Sequence, residues 1–75
     1  MSLHKVMLSI QSPLCHVSLL NSMFKDKYAA MVIAIQREND FIMSPSAQTV
    51  FRENDIVWFV SDEESAKKIK HKEEI

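Results

Sequence analysis

Cys15 and His16 stand side by side, the only adjacent thiol and imidazole in the chain. Nucleophilic catalysis would need that imidazole within hydrogen-bond reach of the sulfur. A metal site would need further ligands, and the other histidines, His4 and His71, are scattered. The pair therefore reads as a buried or half-buried structural thiol beside a surface histidine, and no metal ligand is assigned. Asp26, Asp40, Asp55 and Asp62 fall between apolar runs, where turns and helix caps are the expected work of a carboxylate. The chain holds no glycine, so a glycine-rich phosphate loop is excluded. Lys67, Lys68, Lys70 and Lys72 form a basic stretch without interleaved aromatic residues, the pattern of a solvated face. No catalytic residue emerges, and the chain is not expected to be an enzyme.

The elements that position these residues belong to one small domain. The chain has 75 residues, 47% hydrophobic and 25% charged, with a formal net charge of −1. A domain of this size buries about 60% of its unfolded surface, enough for one core but not for a deep interdomain cleft. Net charge near zero lacks the footprint of a nucleic-acid binder, so no nucleic acid is expected as a partner. No apolar run approaches the ~20 residues of a membrane span, and Met1–Ile10 lacks the pattern of a signal peptide. A single cysteine excludes an internal disulfide and fits a reducing compartment.

Alternation of Val6, Leu8 and Ile10 with Lys5, Met7 and Ser9 predicts a half-buried strand over His4–Ile10. Val17–Phe24 reads as a short helix capped by Ser18, followed by a solvated Lys25-Asp26-Lys27 connection. Ala29–Ile35 is continuously apolar and reads as a central strand buried on both faces. Phe41-Ile42-Met43 and Thr49-Val50-Phe51 are brief strands, and Ile56–Val60 is the strongest one. Trp58 and Phe59 must face opposite ways, one of them into the core. Met23, Met31 and Met43 read as core gap-fillers, although methionine also suits adaptable binding surfaces. Arg-Glu-Asn-Asp occurs at 37–40 and again at 52–55, with Asn39 and Asn54 expected to replace glycine in turns. Ser61-Asp62-Glu63-Glu64 reads as a capping box that starts a second helix. The expected fold is α+β, a small mixed β-sheet with two helices.

Residues spread over most of the chain carry a more specific resemblance. Ser12-Pro13-Leu14, Ser18-Leu19, Phe24, Tyr28 and Val32-Ile33-Ala34-Ile35-Gln36-Arg37 are similar to the opening half of a TrkA-C domain. Ile42, Ser44-Pro45, Thr49-Val50, Asn54-Asp55 and Ile56–Val60 resemble its second half. This family is the C-terminal lobe of RCK-type regulators of potassium conductance. His16, Ala29, Asn39, Asn54 and Ser61 stand where the family usually has glycine.

The resemblance implies a cytoplasmic regulatory domain, ligand-sensing and dimerising, that serves a potassium or other cation channel, transporter or antiporter. It would lie at the inner face of the membrane through that parent protein. The alternative is a pairing or docking domain with no ligand. The implied partners are a second copy and a membrane transporter or channel. The domain is expected over 4–70, with 1–3 as an expression leader and 71–75 as a frayed tail. Some bacterial members bind cyclic di-AMP at the dimer interface. Carried over by position, its phosphates would meet Lys25 and Met31, with Leu19, Val32 and Pro45 flanking the bases. The family's arginine is Lys25 here and its asparagine is Met31. These departures disfavour cyclic di-AMP, and no cofactor is assigned with certainty.

Overall fold

The computed structural model describes residues 1–73. Its strands are β1 (Ser2–Met7), β2 (Met31–Arg37), β3 (Asp40–Met43) and β4 (Ile56–Ser61). Its helices are α1 (Leu19–Ser22), α2 (Phe24–Tyr28) and α3 (Glu63–Glu73). The strands make one sheet in the order β1-β4-β2-β3. The expected α+β class holds. All three strand pairings are antiparallel, so the sheet is not mixed at the level of its ladders. β1 and β2 do run in the same direction, but β4 lies between them and supplies both ladders. No helix among the described residues is long and apolar enough to cross a membrane.

Strand alternation sorts the side chains onto two faces. Val6 of β1, Ile35 of β2, and Val57 and Phe59 of β4 point to one face and are buried. Ala66 and Ile69 of α3 and Phe24 of α2 close over that face, with Leu8, Leu14 and Phe51 completing the core. Phe24 is its hub: its ring lies 6.1 Å from Phe51, 6.0 Å from Phe59 and 5.8 Å from Tyr28. The other face carries Leu3, Met7, Met31, Phe41 and Met43, all exposed. Trp58 is on this open face and Phe59 is in the core. Lys5 Nζ sits 5.3 Å from the Trp58 ring centre, and Trp58 Nε1 donates to Gln36 Oε1 at 3.3 Å. Met31 is therefore not buried on both sides as the continuous apolar run predicted.

Several boundaries move for identifiable reasons. Ser2 and Leu3, expected to precede the domain, already pair with Ser61 and Val60 in the β1–β4 ladder. Ile10 is exposed in a turn after β1. Lys25-Asp26-Lys27 is helical within α2 rather than a connection. Thr49–Phe51 forms only an isolated bridge, Val50 to Ser18, although Phe51 is fully buried. The cap of α3 is Asp62, whose Oδ1 accepts from the Ser65 amide at 2.7 Å. Ser61 is instead spent on β4, and its hydroxyl donates to the Asp62 carbonyl. His71–Glu73, assigned to a frayed tail, are the last turn of α3, and Glu73 is buried with its carboxylate accepting from the Ser12 hydroxyl. The remainder of that expected tail, 74–75, lies outside the described residues.

A glycine-free chain must still turn. Among the described residues His16, Met23, Ala29, Glu38, Ser44 and Asn54 adopt left-handed backbone, with φ of 71°, 58°, 50°, 56°, 45° and 68°. Asn54 fills the glycine role expected of it. In the first Arg-Glu-Asn-Asp copy the left-handed residue is Glu38 rather than Asn39, because the β2–β3 hairpin pairs Arg37 with Asp40 and turns at its first inner residue. His16 and Ala29 keep the geometry that glycine usually provides at their positions, at about 1–2 kcal/mol each.

Candidate functional site

Ser18, the residue before α1, is extended, and its Oγ accepts from the Asn21 amide at 3.1 Å. That cap starts a helix which lasts one turn, because Met23 enters the left-handed region. The chain re-enters a helix at Phe24 and leaves it at Ala29, again left-handed, with the Ala29 amide bonded to the Lys25 carbonyl at 2.9 Å. The resulting corner, α1–Met23–α2–Ala29, stands over the ends of β2 and β4. Between corner and sheet lies a groove of about 650 Å³, within the range of small-molecule sites.

Leu19, Lys25, Met31 and Val32 all line this groove. The structure thus brings together four of the residues carried over from the family pattern. Pro45 is not among the lining residues; it follows β3 and is half-buried elsewhere. Sequence reasoning missed Leu20, Met23 and Asp26 on α1 and α2, and Val60 on β4, all of which also line it. The missed signal was an excess. Leu19, Leu20, Met23 and Phe24 are apolar at helical spacing, yet so short a helix can turn only part of its circumference to the core. Phe24 takes the core position, and Leu20 and Met23 remain 65% and 44% exposed.

The lining is predominantly apolar, and Lys25 and Asp26 are its only charged side chains. Lys25 presents a mobile ammonium rather than a planar fork, so it can meet an anion but not bracket it. Met31 offers a polarisable thioether and no hydrogen-bond donor. All five methionines of the chain are exposed, so none of them fills the core, and Met1, Met23 and Met31 line the groove. Flexible thioethers suit a surface that must adapt to what covers it.

The remaining chemically capable residues are structural. Asp55 is 1% exposed and sits between Arg37 and the turn before β4. Arg37 Nε and a terminal guanidinium nitrogen donate to its two oxygens at 3.0 and 2.8 Å, and the Arg52 amide donates at 2.9 Å. The same guanidinium donates to the Val50 carbonyl at 2.9 Å. Hydrogen bonding to Asp55 raises the Arg37 pKa above its ordinary value. The Cys15 thiol donates to the Ser9 carbonyl at 3.2 Å. Burial first, then Glu53, Asp55 and Glu73, pushes its pKa up, away from a nucleophilic thiolate. No group of metal-ligating side chains assembles among the described residues.

Comparison with known proteins places this architecture. No curated protein matches the chain. Among solved structures, the RCK_C domain dimer of S. agalactiae BusR in complex with c-di-AMP superposes with a TM-score of 0.85 at 25% identity, over 95% of this chain and 93% of that one. The RCK C domain of the potassium transport protein KtrA, in complex with c-di-AMP, superposes with a TM-score of 0.84 at 18% identity, over 93% and 80% of the two chains. Both of these similar domains are seen with cyclic di-AMP, and no cofactor is assigned to this chain.

S. agalactiae BusR in complex with its busAB-promoter DNA gives a TM-score of 0.85 at 25% identity, and there this chain spans only 35% of the relative. That finding corrects the expected set of partners, a second copy and a membrane transporter or channel with nucleic acid excluded. The near-zero charge of one domain describes that domain's surface and not the segments to which such a domain is joined. The model of the TrkA-C domain matches residues 3–72. With that match running from the first strand to the last turn of α3, the chain belongs to the TrkA-C domain family of regulatory domains.

Proposed function

We propose that this domain is the sensing and pairing unit of a cytoplasmic regulator of potassium or other cation transport. Two copies pair about a two-fold axis with their α1–α2 corners at the interface. A ligand held in the grooves then biases one dimer geometry over another. The observation that carries this reading is the convergence of Leu19, Lys25, Met31 and Val32 on one open apolar groove. Exposed Leu20, Met23 and Met31 at its rim support pairing, because monomers rarely leave contiguous large apolar side chains in water. An isologous contact uses the same patch from each copy, so each rim residue would be covered twice. A ligand shifts such an equilibrium only by its differential affinity for the two geometries. Cyclic di-AMP is the first probe, because the similar domains of BusR and KtrA are seen with it.

A second reading is a pairing domain without a small-molecule ligand. Met31 in place of an amide favours it, since the apolar lining is then simply the dimer contact. Sedimentation velocity across a concentration series separates the readings. A dimer stabilised by cyclic di-AMP supports the sensor, a dimer indifferent to it supports pairing alone, and a monomer at the highest concentration contradicts both.

A further inference from the structure

Asp26 lies beside Lys25 on α2, and both line the groove. Neither is ion-paired among the described residues, so each acts on whatever enters as a separate charge. They are the only charged lining side chains, and the groove therefore carries no net side-chain charge. Pairing two copies about a two-fold axis doubles both charges and leaves the sum at zero. A cyclic dinucleotide brings two phosphodiester charges into this space. The rest of the lining is apolar and displaces water, which lengthens the reach of each charge.

We propose that Asp26 sets the charge selectivity of the groove by holding down its affinity for doubly anionic ligands. The inference rests on the sensing reading above. Lys25 attracts the phosphates and Asp26 opposes them from the next position of a helix that Phe24 anchors in the core. The groove is consequently tuned toward ligands that bring apolar surface with less negative charge.

The test is calorimetric titration of the intact domain and of Asp26→Asn with cyclic di-AMP at low and high salt. Asn keeps the shape and removes the charge. The variant is expected to bind about three- to tenfold tighter at low salt, with the gap narrowing at high salt as screening grows. Lys25→Gln should weaken binding in the same conditions. Equal affinity of the parent domain and Asp26→Asn would overturn this inference and leave the sensing reading intact. Absence of binding by both at millimolar ligand would overturn the two together. Sedimentation of the variant as the parent domain does establishes that the fold and pairing are unchanged.

Discussion

Asp55 carries a carboxylate at 1% exposure and meets it with three donated hydrogen bonds. Removing one partner of such a pair strands the other charge, at about 3–5 kcal/mol when buried. Arg37 keeps a 23% exposed side chain and can re-solvate, so Asp55→Ala is expected to lose about 3 kcal/mol in urea unfolding, the low end of that range. Retention of full stability would show that the pair only decorates the turn. Asp62 makes a different prediction. Its pKa is lowered from the ordinary 3.8, first by the Ser65 amide and then by the Ser65 side chain. A depressed carboxylate stabilises the fold above its unfolded pKa and loses that contribution as pH falls through its folded one. Asp62→Asn should therefore melt lower than the parent at neutral pH and converge with it below about pH 4. An unchanged difference across that window would show that the charge of Asp62 adds nothing to its cap. The backbone-bonding duty of Asp55 was legible from its place between a turn and an apolar run. Its pairing with Arg37 was not, because only the adjacency of β2 and β4 brings them together.

The α1–α2 corner is the element that makes the groove, and two left-handed residues without glycine hold it. Met23 joins the helices and Ala29 releases the chain into β2. Glycine removes a penalty of about 1–2 kcal/mol at such a position and adds unfolded-state entropy of about 0.5–1 kcal/mol. Ala29→Gly is thus expected to raise stability by about 0.5–1 kcal/mol, while Ala29→Val lowers it, because a β-branched residue resists positive φ. A loss of stability in Ala29→Gly would show that the alanine methyl contributes packing that outweighs the strain. At this scale the sequence was informative where its signals agreed, as in the cap at Ser18 and the strand across Ile56–Val60. It misled where one signal served two uses. Ser61-Asp62-Glu63-Glu64 fits a cap at either of its first two residues, and strand pairing with Ser2 decides for Asp62. Thr49–Phe51 has strand composition, but only Val50 finds a bridge partner.

For the whole molecule, hydrophobic patterning separates a packed face from an open one. The helices cover the side of Val57 and Phe59, while Leu3, Met7, Met31, Phe41 and Met43 stay exposed on the other. Composition could count these apolar residues, but a chain of this length cannot bury them all, and which ones remain outside follows from register alone. A family pattern records positions in the fold, and four of the five positions carried over, Leu19, Lys25, Met31 and Val32, fall together in the groove. Pro45, carried over with the others, does not line the groove of a single copy. Whether two copies share one regulatory site is read from the stoichiometry of a calorimetric titration with cyclic di-AMP. A shared site gives saturable heat at one ligand per two chains, with affinity limited by Lys25 and Asp26. Saturation at one ligand per chain on a monomer, or no heat at millimolar ligand, would contradict it.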